Sequence, residues 1–199
     1  MINTRILHPV ESLILSKIPD FVKERARDIE LVVFDVDGVL TDGSLYYSAN
    51  GESQKRFHAL DGHGMKMLIQ SGIQVAMMTG RQSEITNRRA AELGIPHLLQ
   101  NVRNKRQALT ELCQELNIEL NQVAFIGDDL IDLAVMQRVG LALSVPNAPI
   151  YIQQAAHWVS QLAGGQGGAR EHCDMILASQ GLLGPLLSHD RPIQGKVIQ

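Results

Sequence analysis

Leu31-Val32-Val33-Phe34-Asp35-Val36-Asp37-Gly38-Val39-Leu40-Thr41-Asp42-Gly43 is the stretch on which the fold turns. Four consecutive apolar residues without alternation predict a short strand buried on both faces. The run ends in two carboxylates, Asp35 and Asp37, and then in Gly38, where the chain turns. Similar runs recur at 73–78, 97–99, 123–126 and 141–145. Helix-like stretches lie between them at 83–93, 105–117 and 130–139, opened by Ser83 and Asn104 as caps and closed by Gly94 and Gly140. Strands alternating with helices of about 10–15 residues predict an α/β fold, a Rossmann-like parallel sheet with helices on both faces.

Outward from this core, residues 1–30 read as a helical lead-in, with Ile14, Leu15, Ile18, Phe21 and Val22 at helical spacing. Residues 44–57 break the alternation: Asn50-Gly51 between two short strand-like runs predicts a projecting β-hairpin. Four glycines within 164–168 mark a flexible or closely approaching backbone before a last helix at about 171–179. The main domain is therefore expected over 31–180, with 181–199 as a flexible tail.

The 199 residues suffice for one domain with a real core, at 45% apolar and 20% charged. A net charge of −3 argues against a nucleic-acid binder or a basic membrane clamp. No run approaches the length of a membrane span, and the N-terminus does not read as a secretory leader. Two distant cysteines, Cys113 and Cys173, suit a reducing compartment, so a cytoplasmic location is expected. The seven histidines show no metal-ligand spacing, and zinc is not expected.

Ligands of open parallel sheets bind at the carboxyl ends of the strands. Those ends carry Asp35 and Asp37, then Thr79, then Lys105 past the third, then Asp128-Asp129. Clustered carboxylates need a cation to stay ionised together, and oxygen-only donors select a hard divalent ion, naturally Mg²⁺. With an ammonium and a hydroxyl beside them, such a site is built for phosphate. Asp35 can attack phosphorus to form an aspartyl-phosphate, Asp37 can protonate the leaving alkoxide and later activate water, and Lys105 can offset the developing charge. Asp129 is expected to orient Asp128 and cap the following helix, with Asp132 in support one turn along. Trp158 reads as a core strand residue, and His58, His63 and His172 as packed or solvated no less than as ligands.

The set 35–43, Thr79-Gly80-Arg81, Lys105 and Gly127-Asp128-Asp129-Leu130-Ile131-Asp132 resembles the four motifs of the haloacid dehalogenase-like (HAD) phosphohydrolases. Over about residues 25–180 the chain is similar to members that dephosphorylate an eight-carbon 3-deoxy-ulosonic acid 8-phosphate in lipopolysaccharide precursor synthesis. The closer marks are 57–68, 127–136 and 164–171. The chain departs from the usual pattern in carrying His58-Ala59-Leu60 where Asn-Val-Arg is common, and Gly168-Ala169 where Ala and a larger apolar residue are usual.

The resemblance implies metal ligation by the Asp35 carboxylate, the Asp37 backbone carbonyl and Asp128. It implies substrate contact by Asp37, His58, Ala59, Leu60, Asp61, Gly62 and Lys66, with Arg81, Arg89 and Lys105. Only 41 residues separate Asp37 from Thr79, too few for a cap domain. The resemblance implies a homotetramer in which hairpins pack together and the Gly-rich segment reaches a neighbouring site. Arg170 there suits a bidentate contact with a sugar-acid carboxylate. Three other functions compete: a phosphatase for a nine-carbon acid of the sialic-acid type, a phosphoacceptor signalling domain and a non-catalytic sugar-binding scaffold. Signalling domains place their acidic pair before the acceptor and need no carboxylate two residues after it, unlike Asp37 here.

Overall fold

A computed structural model of the chain describes residues 7–188. The strand read from 31–34 is β1 (Leu31–Phe34), every residue of it buried. It pairs in parallel on one side with β4 (Gln74–Met78) and on the other with β6 (Val123–Ile126). The hairpin strands β2 (Tyr46–Ser48) and β3 (Gly51–Gln54) intervene in sequence and form their own antiparallel ribbon. Adding β5 (His97–Leu99), β7 (Leu141–Ser144) and β8 (Trp158–Val159) gives a six-stranded parallel sheet of order β5-β4-β1-β6-β7-β8. The chain leaves β1 toward β4 and later returns to its other side at β6. The strand order therefore reverses beside β1, the place where open α/β sheets bind ligands.

Because β1 is covered on both faces, its side chains feed two cores. Val32 and Phe34 pack under α2 (Asp20–Arg27), α3 (Ala59–Gln70), α4 (Glu84–Leu93) and α8 (Gly168–Ser179). Leu31 and Val33 pack under α5 (Lys105–Leu116), α6 (Leu130–Met136) and α7 (Ile150–Ala155). Three helix boundaries fall where capping chemistry puts them. Ser83 accepts from Thr86 N–H and Gly94 closes α4 at positive φ; Asn104 accepts from Gln107 N–H to start α5.

Four expectations need correction. Phe21 sits on α2 but faces solvent, half exposed, while Val22 takes the buried position. The hairpin turn is Ala49-Asn50, with Gly51 already paired to Ser48. The last long helix starts at Gly168, three residues before 171. Residues 183–187 of the expected tail form α9 (Leu183–Leu187), whose Leu183 is buried. Buried Glu11 of α1 (Pro9–Leu15) holds it, accepting from Gly184 N–H at 2.8 Å and His8 N–H at 2.9 Å. Residues 189–199 of that tail, and 1–6 of the lead-in, lie outside the described residues. Among the described residues no helix is long and apolar enough to cross a membrane.

The Gly-rich segment is a close approach of backbones. A Cβ at Gly164 would strike the Gly38 carbonyl, and one at Gly165 the Thr41 backbone. Gly165 N–H donates to Val39 O at 3.0 Å, and Asn147, past β7, donates to Gly38 O at 3.0 Å while accepting from Gly164 N–H at 2.7 Å. The loop after β1 is thus clamped from outside by two stretches of chain. A second tie runs from α8: the ring of fully buried His172 meets Ser144 O at 3.0 Å, and Ser144 Oγ donates to Gly127 O at 2.7 Å, just before Asp128.

Burial pushes the His172 imidazole down to about 3, the Ser144 carbonyl opposing only in part. A depressed folded pKa means the unfolded chain takes up the proton first. The stabilising contribution is complete above about 6.5 and is lost as pH falls toward 3, by up to about 1.4 kcal/mol per pH unit. His172→Gln is therefore expected to lose less stability than wild type between pH 7 and 5 in urea unfolding. Parallel slopes would count against a neutral buried imidazole.

Candidate active site

Lys105 is the first residue of α5, a position where the helix dipole disfavours a cation. Its side chain is nonetheless buried, 2% exposed, because two carboxylates meet it there. The ammonium pairs with Asp35 Oδ1 and with Asp132 Oδ1, the latter at 2.6 Å. Asp132 uses its other oxygen to accept from the backbone N–H of Asp128 at 3.1 Å and of Asp129 at 3.2 Å. One buried side chain therefore fixes both the lysine and the turn that presents Asp128. Asp129 is exposed and accepts from Leu130 N–H at 2.7 Å, capping α6 as its position suggests.

Asp35, Asp128 and Asp132 each offer an oxygen within 4.8 Å of the others. Burial pushes the Asp35 carboxyl up to about 8, with repulsion from Asp132 and Asp128 added and the attraction of Lys105 opposing. Burial likewise lifts Asp128 to about 7, with Asp132 adding to the shift. Burial works against the Lys105 ammonium, but Asp35 and Asp132 more than reverse it and hold the proton on. One ammonium facing three close carboxylates leaves unbalanced negative charge. The donors are all oxygen, so the set fits a hard divalent cation. Asp132 has both oxygens engaged by protein groups, which leaves Asp35 and Asp128 as the carboxylates turned to such an ion.

Asp37 faces the other way. Its Oδ2 accepts from Thr79 Oγ1 at 3.2 Å, and its Oδ1 pairs with Lys55 of the hairpin's last residues. Arg81 lies 3.9 Å from Oδ2 and donates to Tyr47 OH at 3.1 Å. Gly38, at φ +98°, makes the divergence possible: a Cβ there would collide with Asp128 Oδ2. Thr41 Oγ1 closes the loop by accepting from Gly38 and Gly43 N–H.

Asp35, Asp37, Thr79, Lys105, Asp128 and Arg81 are therefore brought together. The remaining expected contacts form a separate group along α3. Arg89 is paired with Glu92 at 2.9 Å and stacks over Phe57, and Gly62 leaves room for its guanidinium. Asp61, expected at the substrate, accepts from Arg170 N–H at 2.8 Å and so caps α8, whose own cap residue Gly167 has no side chain. Arg170 turns its guanidinium to Asp174 at 2.7 Å. His58 sits at the cap of α3 with Nδ1 unpartnered, Ala59 and Leu60 are exposed beside it, and Lys66 is half-buried further along the helix. Lys55 and Asn147 are residues that the sequence reading missed. Lys55 lies in one of the two runs that flank the hairpin turn, and no spacing betrays the burial of its side chain.

A haloacid dehalogenase-like hydrolase profile matches residues 97–168, from β5 through the Asp128 turn to the start of α8. Over 162 residues the chain is 44% identical to 3-deoxy-D-manno-octulosonate 8-phosphate phosphatase KdsC of Escherichia coli (strain B / BL21-DE3), covering 81% of this chain and 86% of that one. The chain belongs to the KdsC family. The KdsC fold extends to solved structures. The 3-deoxy-D-manno-octulosonate 8-phosphate phosphatase of Yersinia pestis superposes with TM-score 0.81 at 45% identity, over 82% of this chain and 89% of that chain. The enzyme of Moraxella catarrhalis, in complex with magnesium ion, phosphate ion and a KDO molecule, gives 0.83 at 39% identity, over 85% and 98%. The KdsC-family architecture without a cap domain is thus the one present here.

In this KdsC-family site the lysine is the only described cation touching both buried carboxylates. Lys105→Met would leave Asp35 and Asp132 buried without it, a loss of about 3–5 kcal/mol for a broken buried pair. Urea unfolding in the presence of a chelator is expected to show a deficit of that order. A deficit below about 1 kcal/mol, the scale of an exposed pair, would mean that the ammonium is not the counter-charge.

Proposed function

We propose that the chain is a Mg²⁺-dependent phosphatase that hydrolyses 3-deoxy-D-manno-octulosonate 8-phosphate to 3-deoxy-D-manno-octulosonate and phosphate, in lipopolysaccharide precursor synthesis in the cytoplasm. The observation that carries the reading is the opposed setting of two carboxylates two residues apart: Asp35 against Lys105 and Asp128's turn, Asp37 against Thr79. Asp35 and Asp128, with the Asp37 backbone carbonyl, would hold the cation. A bound Mg²⁺ supplies charge neutralisation for these carboxylates and for phosphoryl oxygens.

The rest is the work of the chain itself. An Asp35 oxygen attacks phosphorus and the phosphorus–ester oxygen bond breaks, giving an aspartyl-phosphate. Asp37 gives its proton to the departing alkoxide, then takes one from the water that attacks the same phosphorus. That second displacement frees Asp35 and phosphate. Lys105 and Thr79 face the site as an ammonium and a hydroxyl suited to phosphoryl oxygens. The α3 group, with Arg81, Arg89 and Arg170, forms the sugar-acid side of the proposal. Its ion pairs with Glu92 and Asp174 must then exchange for substrate or for a neighbouring subunit. Exposed Leu45, Tyr47, Leu60 and Leu162 on the hairpin, on α3 and beside the Gly-rich segment support contact with further copies of the chain, which the proposal takes as a homotetramer.

Phosphate release is to be measured over a panel of sugar phosphates with Mg²⁺ and with chelator. The eight-carbon acid 8-phosphate should be turned over best, Asp35→Asn should lose at least about 10³-fold, and chelation should abolish the rate. A nine-carbon acid 9-phosphate preferred in kcat/KM would redirect the substrate. Retained turnover in Asp35→Asn would overturn the mechanism. Sedimentation should give the mass of four chains, and a monomer would exclude the shared site.

A further inference from the structure

We propose that Lys55, at the foot of the hairpin, is a positioning residue for Asp37, fixing the direction in which its carboxylate serves the leaving group. The inference rests on the reading of Asp37 as the proton carrier. Lys55 stands just after β3 in a polar ribbon, yet its side chain is only 2% exposed. Its ammonium pairs with Asp37 Oδ1 and, at 3.1 Å, with Glu52 Oε1. Glu52 is itself anchored: its other oxygen accepts from Ser83 Oγ, the residue that caps α4. The hairpin therefore grips the rim of the sheet at two places, through Glu52 at Ser83 and through Tyr47 at Arg81.

Asp37 has rotational freedom about its side-chain bonds that a strand-end aspartate would ordinarily use. Here one oxygen is held by Lys55 and the other by Thr79 from the opposite side, which fixes the plane of the carboxylate. General acid catalysis depends on that plane, because the proton must be delivered along the breaking bond. Lys105 supplies no such restraint: its partners are Asp35 and Asp132. The two lysines thus divide the labour, one on each carboxylate of the pair.

The test compares two leaving groups. A sugar alkoxide needs a proton to depart, whereas p-nitrophenolate does not. kcat/KM is read because it covers only the steps through departure of the leaving group. Lys55→Met is expected to lower kcat/KM on the sugar-acid phosphate by about 10²-fold, mostly in kcat, and on p-nitrophenyl phosphate by only a few-fold. Lys55→Arg should restore most of the loss, since a guanidinium can hold the same carboxylate. Equal losses on both substrates would overturn the proposal, placing Lys55 at the phosphoryl group or in general support of the fold; no loss on either would make the ion pair inert. Should Lys55→Met fail to fold, Glu52→Gln, which loosens Lys55 without removing it, is expected to show the same leaving-group dependence at smaller size, and equal losses there count equally against it. Asp37→Asn run alongside separates the levels. If it keeps full sugar-phosphate activity, the acid–base reading fails and Lys55's role falls with it. If it is impaired while both Lys55 variants are not, only the present inference fails.

Discussion

Lys105's ammonium, shared between buried Asp35 and Asp132 at the carboxyl end of the sheet, is the constraint around which the site is built. Three carboxylates with oxygens inside 4.8 Å of one another repel strongly at low dielectric. A fixed positive charge must be delivered among them before they can coexist as anions. The fold delivers it from an unlikely place for a cation, a helix N-terminus, and sets it opposite a carboxylate from the first turn of α6. That carboxylate in turn holds the backbone of the Asp128 turn. Position and charge are therefore solved by the same contacts. The cost is a net negative centre, which is what a divalent cation would complete.

The second carboxylate is governed by different neighbours. Asp37 lies two residues from Asp35, but positive φ at Gly38 and the Thr41 staple turn the chain so that it addresses Thr79 and the hairpin. An extended strand would have sent both carboxylates to one side. In the proposed mechanism this divergence separates the group that forms a bond to phosphorus from the group that moves protons. It also brings the hairpin into contact with the site: the ribbon's foot meets Asp37 directly through Lys55.

Local chemistry made much of this readable in the sequence. The apolar run of β1, the Ser83 and Asn104 caps and the stop at Gly94 depend on near neighbours, and they stand where they were expected. The motif residues Asp35, Thr79, Lys105 and Asp128 converge because each follows a strand of one sheet, which alternation with helices makes parallel. What could not be read depends on helices meeting. That Asp61 caps α8 is seen only once α3 stands beside α8, whose glycine cap borrows an acceptor. Lys55 sits in a polar ribbon whose burial arises only from the rim it touches. Residues 183–187 looked like tail because their anchor, Glu11, lies at the other end of the chain.

The bare backbones of Gly164 and Gly165 against Gly38 and Thr41 bear on when the enzyme comes into being. Asp35, Asp37, Lys105, Asp128 and Asp132 have all been synthesised by the end of α6, yet the loop carrying Asp37 is walled in by residues emerging after β7, first Asn147 and then Gly164 and Gly165. A nascent chain paused on the ribosome at β7 would hold all the reactive groups and lack the wall that seats them. The seating of that loop thus waits on residues made late, and a chain ended before them would keep its reactive residues without the backbone contacts at Gly38, Val39 and Thr41.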